Sequence, residues 1–209
     1  MKILLVGGSG IIGQRILAEA LQRGHKVTTL TRDPSKVKSG ATVVKGDALD
    51  SKSIEEAAGG NDAVISAYSP SAEDPSRLVD ATRSQVAGLK RAGVKRLITV
   101  GGTGSLEVAP GVQLVDTPQF PAAQKGIALA HREALEVYRK EAVDLEWTYF
   151  SPPALIEPGA RTGKFRLGTD RFMVDSSGQS RISAEDYAVA LLDELENPKH
   201  VRTRFTAAY

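Results

Sequence analysis

The sequence predicts an α/β fold: a doubly wound parallel sheet with helices on both faces and a small C-terminal extension on the substrate side. Three observations carry this expectation. Short runs dense in Val, Ile, Leu and Thr recur along the 209 residues with little strict alternation, as strands covered on both faces require. Amphipathic helical stretches lie between these runs, and strand, helix, strand in repetition means parallel pairing through right-handed crossovers. The first strand also passes into the first helix through closely spaced glycines.

Taken in order, "KILLVGG" (2–8) is the first strand. A helix from about Ile11 to Arg23 follows, with Ile12, Ile16 and Ala20 on one stripe and Gly24 as its stop. "KVTTLTR" (26–32), "TVVKGD" (42–47) and "DAVISAY" (62–68) are the next strands. Asp74 and Pro75 supply an N-cap and first-turn pair for a helix that carries Leu78, Thr82, Val86 and Leu89 on one face and ends at Gly93. "RLITVGG" (96–102) is the fifth strand, "PAAQKGIALAHREALEVYRKEAVDLEW" (121–147) contains a long helix, and "WTYFSPP" (147–153) is the sixth strand. Ser183 and Asp186 have capping-box spacing for a last helix from about Ala184 to Glu196, before Pro198, and "RFTAAY" (204–209) reads as a final edge strand. The whole chain, 1–209, is expected to be one domain. Two loops, 104–124 and 152–182, fall after the carboxyl ends of strands, where open α/β sheets hold their ligands.

Composition narrows the function. The chain has no cysteine, which excludes disulfides, thiolate metal sites and a cysteine nucleophile and suits a reducing cytoplasm. No apolar run approaches the ~18 residues of a membrane span, and the N-terminal run is too short for a signal peptide. With 27 basic against 25 acidic residues, spread evenly, nothing marks a nucleic-acid or membrane partner, and a small molecule is the expected ligand. The three histidines, His25, His131 and His200, are too separated to argue a metal site.

Gly7, Gly10 and Gly13 have the mechanics of a pyrophosphate cradle: a tight turn, backbone N–H groups open to phosphate, and close packing of helix on strand. The spacing is G-x-x-G-x-x-G, and the strand before and helix after favour binding over a simple turn. At the end of the second strand, a carboxylate would meet a free ribose 2′-hydroxyl and an arginine a 2′-phosphate. "TLTRDPSK" presents Arg32 first, with Lys36 in reach, so NADP(H) is preferred over NAD(H), with Asp33 as the competing signal. Asp47, in "KGDALD", either accepts from the adenine amino group or caps a turn. The expected cofactor-binding set is Gly7, Gly8, Ser9, Gly10, Ile11, Ile12 and Gly13 in the turn, then Arg32, Lys36, Asp47, Ala48, Ala67 and Tyr68. Ser151, Pro152 and Pro153 complete it on the nicotinamide side.

"GGSGIIG", "TRDPSK", "GDALD", "WTYFSPP", "EPGARTGKFRLG" and "SRISAEDYAVALLDELENPKH" together resemble the atypical short-chain dehydrogenase/reductase proteins of the NAD(P)H-binding, NADH-flavin reductase group. That group is related to biliverdin/flavin reductases and NmrA-like regulators, and to NAD-dependent epimerases and dehydratases. The resemblance implies a Rossmann-like fold and an oxidoreductase. Typical members of the superfamily carry Tyr-x-x-x-Lys on the helix before the sixth strand; here its only tyrosine, Tyr138, is followed four residues later by Ala142. What remains is hydride transfer to a flavin (FMN or FAD as substrate) or a similar redox-active ring, which asks mainly for positioning. Thr103 as a hydroxyl donor and His131 as a proton donor are the catalytic candidates, and Arg161, Lys164, Arg166 and Arg171 could hold a flavin phosphate or form a solvated rim. Two other functions stay open: a non-catalytic NADP(H) sensor and a nucleotide-sugar epimerase-like enzyme.

Overall fold

A computed structural model describes residues 1–37 and 40–209. In chain order the elements are β1 (Lys2–Val6), α1 (Ile11–Gln22), β2 (Lys26–Thr31), β3 (Thr42–Lys45), α2 (Ser51–Ala58), β4 (Ala63–Ser66), α3 (Arg77–Ala92) and β5 (Arg96–Val100). They continue with β6 (Glu107–Ala109), β7 (Val112–Gln113), α4 (Ala122–Glu141), β8 (Glu146–Ser151), β9 (Leu155–Glu157), β10 (Arg166–Gly168), β11 (Arg181–Ser183), α5 (Ala184–Glu196) and β12 (Thr203–Ala208). Eight strands form one sheet in the order β10-β12-β8-β5-β4-β1-β2-β3, parallel except for the β10–β12 pair. The order reverses between β1 and β4, which makes their carboxyl ends the switch point of a doubly wound, Rossmann-like α/β fold.

Burial explains the apolar runs. Ile3, Leu4, Leu5 and Val6 are all buried because β1 lies mid-sheet with helices on both sides. Ile3 and Leu5 join Ile16, Leu17 and Ala20 of α1 and Tyr187, Leu191 and Leu195 of α5 on one face. Leu4 and Val6 join Ile54 of α2, Val86 and Leu89 of α3, and Leu135 and Tyr138 of α4 on the other. Fixed stops end the helices: Gly24 (φ +78°) follows α1, and Gly93 (φ +72°) caps α3 with its N–H on the Leu89 and Lys90 carbonyls. Among the described residues no helix is long and apolar enough to cross a membrane.

Two local expectations are corrected. The N-cap of α3 is Ser76, and Asp74 instead accepts from the Ser76 hydroxyl at 2.6 Å, shifting the helix start inward. "RFTAAY" is not an edge: β12 pairs parallel with β8 on one side and antiparallel with β10 on the other. The cause lies in loop 152–182, where Arg166–Gly168 folds back on the last strand and the Arg166 guanidinium donates to the Val174 and Tyr209 carbonyls, both at 2.6 Å. The same loop pairs β9 with β11, and loop 104–124 holds the small β6–β7 ladder.

Candidate functional site

Two clefts lie side by side along the carboxyl edge of the sheet. The first is built on the turn from β1 into α1. Gly7 has φ +84°, and a Cβ there would overlap the Ala67 carbonyl beyond β4; a Cβ on Gly13 would overlap the Gly7 carbonyl. Both glycines are therefore demanded by packing alone. Gly10 differs, because a Cβ there would meet only the Gly7 carbonyl, at 3.6 Å, and otherwise stand in open space. Gly10 is the N-cap of α1 with no side-chain cap, and the first turn carries no acidic residue. The free N–H groups and the positive end of a twelve-residue helix thus open onto space that a side chain would fill, a cradle suited to a diphosphate.

The cleft above this turn, about 230 Å³, is lined by Gly7, Ser9, Gly10, Arg32, Asp33, Lys36, Asp47, Ala48, Ala67 and Tyr68, together with Val6, Leu30, Thr31, Gly46 and Ser69. Nine of the residues expected from the sequence are thereby brought together. Gly8 is buried, where a Cβ would press on Thr29; Ile12 packs on the core; Ile11 is exposed beside the turn. Asp33 is turned into its own chain, accepting from the Ser35 N–H (3.1 Å) and hydroxyl (2.6 Å), with Lys36 Nζ 3.6 Å away. The Ser35 hydroxyl holds its carboxyl below the usual range. Arg32 is exposed and makes no hydrogen bond or ion pair among the described residues. Asp47 Oδ1 accepts from the Leu49 N–H at 3.0 Å, while the cap of α2 is Asp50, on the N–H groups of Lys52 and Ser53.

The second cleft, about 490 Å³, opens beyond β5 and β8 and takes its walls from Gly101, Gly102, Thr103, Leu114, Phe120, Ile127, His131, Pro152, Ala154 and Phe172, among others. The two clefts share a border: Tyr68 of the first and Ile127 of the second pack on the same small cluster of Leu78, Ala130 and Ala134. The Thr103 hydroxyl donates to the Pro152 and Pro153 carbonyls, both at 2.9 Å, so its hydrogen is committed to holding the chain beyond β8. Ser151 is fully buried in the sheet with its hydroxyl unpaired. Burial pushes the His131 imidazole down to about 4, which keeps it neutral near pH 7. Tyr138 is a core residue, stacked on Trp147 at 5.9 Å.

Arg161, Lys164, Arg166 and Arg171, the anion-binding candidates of loop 152–182, line neither cleft. Arg161 donates twice to Glu19 of α1 (2.7 and 2.8 Å), Arg166 braces β10, Lys164 is exposed, and Arg171 is exposed with its backbone in an isolated β-bridge to Glu107. Pocket residues that the sequence reading missed are Leu114, Phe120 and Phe172. Phe172 is delivered by a local ladder, in which the Glu107 N–H donates to Asp170 and the Phe172 N–H to Glu107, while Arg204 of β12 clamps the Asp170 carboxylate. None of these residues has a sequence signal beyond lying in a long loop after a strand.

A switch-point cleft on a glycine cradle, beside an apolar cavity, defines a dinucleotide-binding protein of the oxidoreductase and epimerase kind. The chain belongs to the NAD(P)H-binding family, whose profile matches residues 7–198. Three solved structures resemble it over its full length. A Burkholderia pseudomallei protein provisionally described as exported is 51% identical (TM-score 0.91, all of both chains). A Bacteroides thetaiotaomicron protein provisionally described as an epimerase is 41% identical (TM-score 0.93, all of this chain and 96% of that one). A Streptococcus pneumoniae protein provisionally described as an NADH-flavin reductase is 31% identical (TM-score 0.89, all of this chain and 99% of that one).

Proposed function

We propose that the protein is an NADPH-dependent reductase that passes hydride directly to a flavin or a similar redox-active ring. The observation that carries this reading is the second cleft: apolar, next to the cofactor groove, and offering no group ready to protonate a substrate. His131 is neutral and the Thr103 hydrogen is bonded to the chain. Reduction of a carbonyl needs a proton donor at the developing alkoxide, whereas a flavin ring disperses the incoming charge itself.

Gly7, Gly10 and the start of α1 would hold the diphosphate, and Arg32, with Lys36 beside it, a ribose 2′-phosphate; Asp33, engaged with Ser35, is the weaker partner for a free 2′-hydroxyl. Reduced nicotinamide, when bound, supplies the hydride that, with one solvent proton, converts an oxidised flavin to its dihydro form. Phe120, Phe172 and Leu114 would seat the ring and exclude water. The name given to the Streptococcus pneumoniae neighbour supports this reading; that of the Bacteroides thetaiotaomicron neighbour supports an epimerase instead. A reductase of this kind draws on the cytoplasmic NADPH pool, and a chain without cysteine suits that compartment. Fractionation checks the location, given the description of the Burkholderia pseudomallei neighbour.

The deciding experiment mixes protein, NADPH and FMN or riboflavin anaerobically and follows the near-ultraviolet absorbance of the reduced nicotinamide. Its loss in step with flavin bleaching is expected. Tight NADPH binding with no oxidation by any flavin or quinone would overturn the enzyme reading in favour of a cofactor sensor.

A further inference from the structure

The hydrogen bonds behind the second cleft fix which nitrogen of His131 carries its proton. Tyr149 Oη donates its single hydrogen to the His131 carbonyl at 2.9 Å. The same oxygen accepts from the Gly102 N–H at 3.2 Å and lies 3.1 Å from His131 Nδ1. With its hydrogen already used, Oη can only accept from the ring, so Nδ1 bears the hydrogen and Nε2 bears a lone pair. Nε2 makes no hydrogen bond with any described residue and is not one of the buried unpaired polar atoms, while His131 lines the cleft. The lone pair is therefore open to the cleft. Burial keeps the ring neutral, so Nε2 stays an acceptor through the ordinary pH range.

The surroundings narrow what meets it. Among the described residues no Asp, Glu, Lys or Arg lines the cleft, so a phosphate finds no counter-charge from them and recognition falls on the ring itself. Phe120, Phe172 and Leu114 suit a flat ring. We propose that His131 is a specificity-determining residue whose Nε2 selects an acceptor ring carrying its own N–H, the N3–H of an isoalloxazine, over rings without a donor such as quinones. A quinone carbonyl facing Nε2 would set two acceptors against each other and leave both unpaired.

This inference rests on the flavin-reductase reading, and the test separates the two. Lumiflavin and N3-methyl-lumiflavin are compared in wild type and His131→Phe, by steady-state KM with NADPH and independently by quenching of flavin fluorescence on binding. In wild type the methyl group is expected to weaken both quantities about tenfold, and in His131→Phe to change them less than about twofold. Tyr149→Phe is the second variant: releasing Nδ1 lets the ring carry its hydrogen on Nε2, and the methyl penalty should shrink. Equal affinity of wild type for the two flavins, or no binding of either, overturns the proposal. So does a methyl penalty that survives in His131→Phe. A fall in NADPH affinity in His131→Phe without any methyl effect also overturns it, because the lone pair then serves the cofactor carboxamide. Selective binding without turnover sinks the reductase reading alone.

Discussion

At the scale of single residues, the glycines of the first turn separate into those the fold requires and one that packing does not. Gly7 and Gly13 leave no room for a Cβ, whereas Gly10 faces open space. Gly10→Val should accordingly fold and melt within a few degrees of wild type yet lose NADPH binding, since the new side chain fills the cradle. Calorimetric titration of the folded variant checks this; unchanged affinity would mean that the turn holds no diphosphate. Arg32 allows a second test. An arginine fork on a 2′-phosphate contributes about 1.5 to 3 kcal/mol, so Arg32→Ala should weaken NADPH binding by roughly one to two powers of ten and leave NADH binding unchanged. Wild type that binds both cofactors equally would refute the NADP(H) assignment.

At the scale of elements, the N-terminus of α5 organises loop 152–182. Asp186 is fully buried and accepts from the N–H groups of Thr162 and Gly163, the Thr162 hydroxyl and Tyr209 Oη. Burial alone would raise its pKa, but these donors hold it below the usual carboxylate range. Removing them from their acceptor leaves several buried polar groups unpaired, so Asp186→Ala should destabilise the fold by about 2 to 4 kcal/mol, measured by urea unfolding. Thr103→Val should act through the chain it ties down, lowering kcat/KM by less than about tenfold because the hydroxyl is bonded to Pro152 and Pro153. The elements themselves were largely legible. Periodicity marked α1, and Gly24 and Gly93 marked the stops, because these signals are local. The return of β10 onto β12 was not legible: three residues in a polar stretch carry no pattern of their own, and their partner lies about forty positions away. Arg161 looked like an anion ligand for the same reason, since Glu19 stands 142 residues upstream. The cleft above the glycine turn was readable from the glycines and strand ends, whereas the tie from Tyr149 to His131 exists only after folding.

At the scale of the whole molecule, stability should report on the neutral imidazole. His131 titrates near 6.5 when the chain is unfolded and near 4 when folded, so between these values the unfolded chain binds the extra proton. The contribution is full above about pH 6.5 and is lost as pH falls toward about 4, at up to about 1.4 kcal/mol per pH unit. Urea unfolding of wild type and His131→Phe at about pH 7 and about pH 5 isolates the effect from the carboxylates, which lose their share lower down. A wild-type slope no steeper than that of the variant would show the imidazole to be readily protonated in place.

The placement of β12 between β8 and β10 also sets an order of assembly as the chain leaves the ribosome. The residues lining the first cleft all lie within the first 69 positions, but α1, whose start floors that cleft, is seated on Tyr187, Leu191 and Leu195 of α5. The wall of the second cleft has to wait. Phe172 is held through Asp170, Asp170 is clamped by Arg204, and β10 has no partner until Thr206 to Ala208 arrive beside it. A nascent chain therefore completes the first cleft only with α5, and encloses the second only with β12, the last strand to be made.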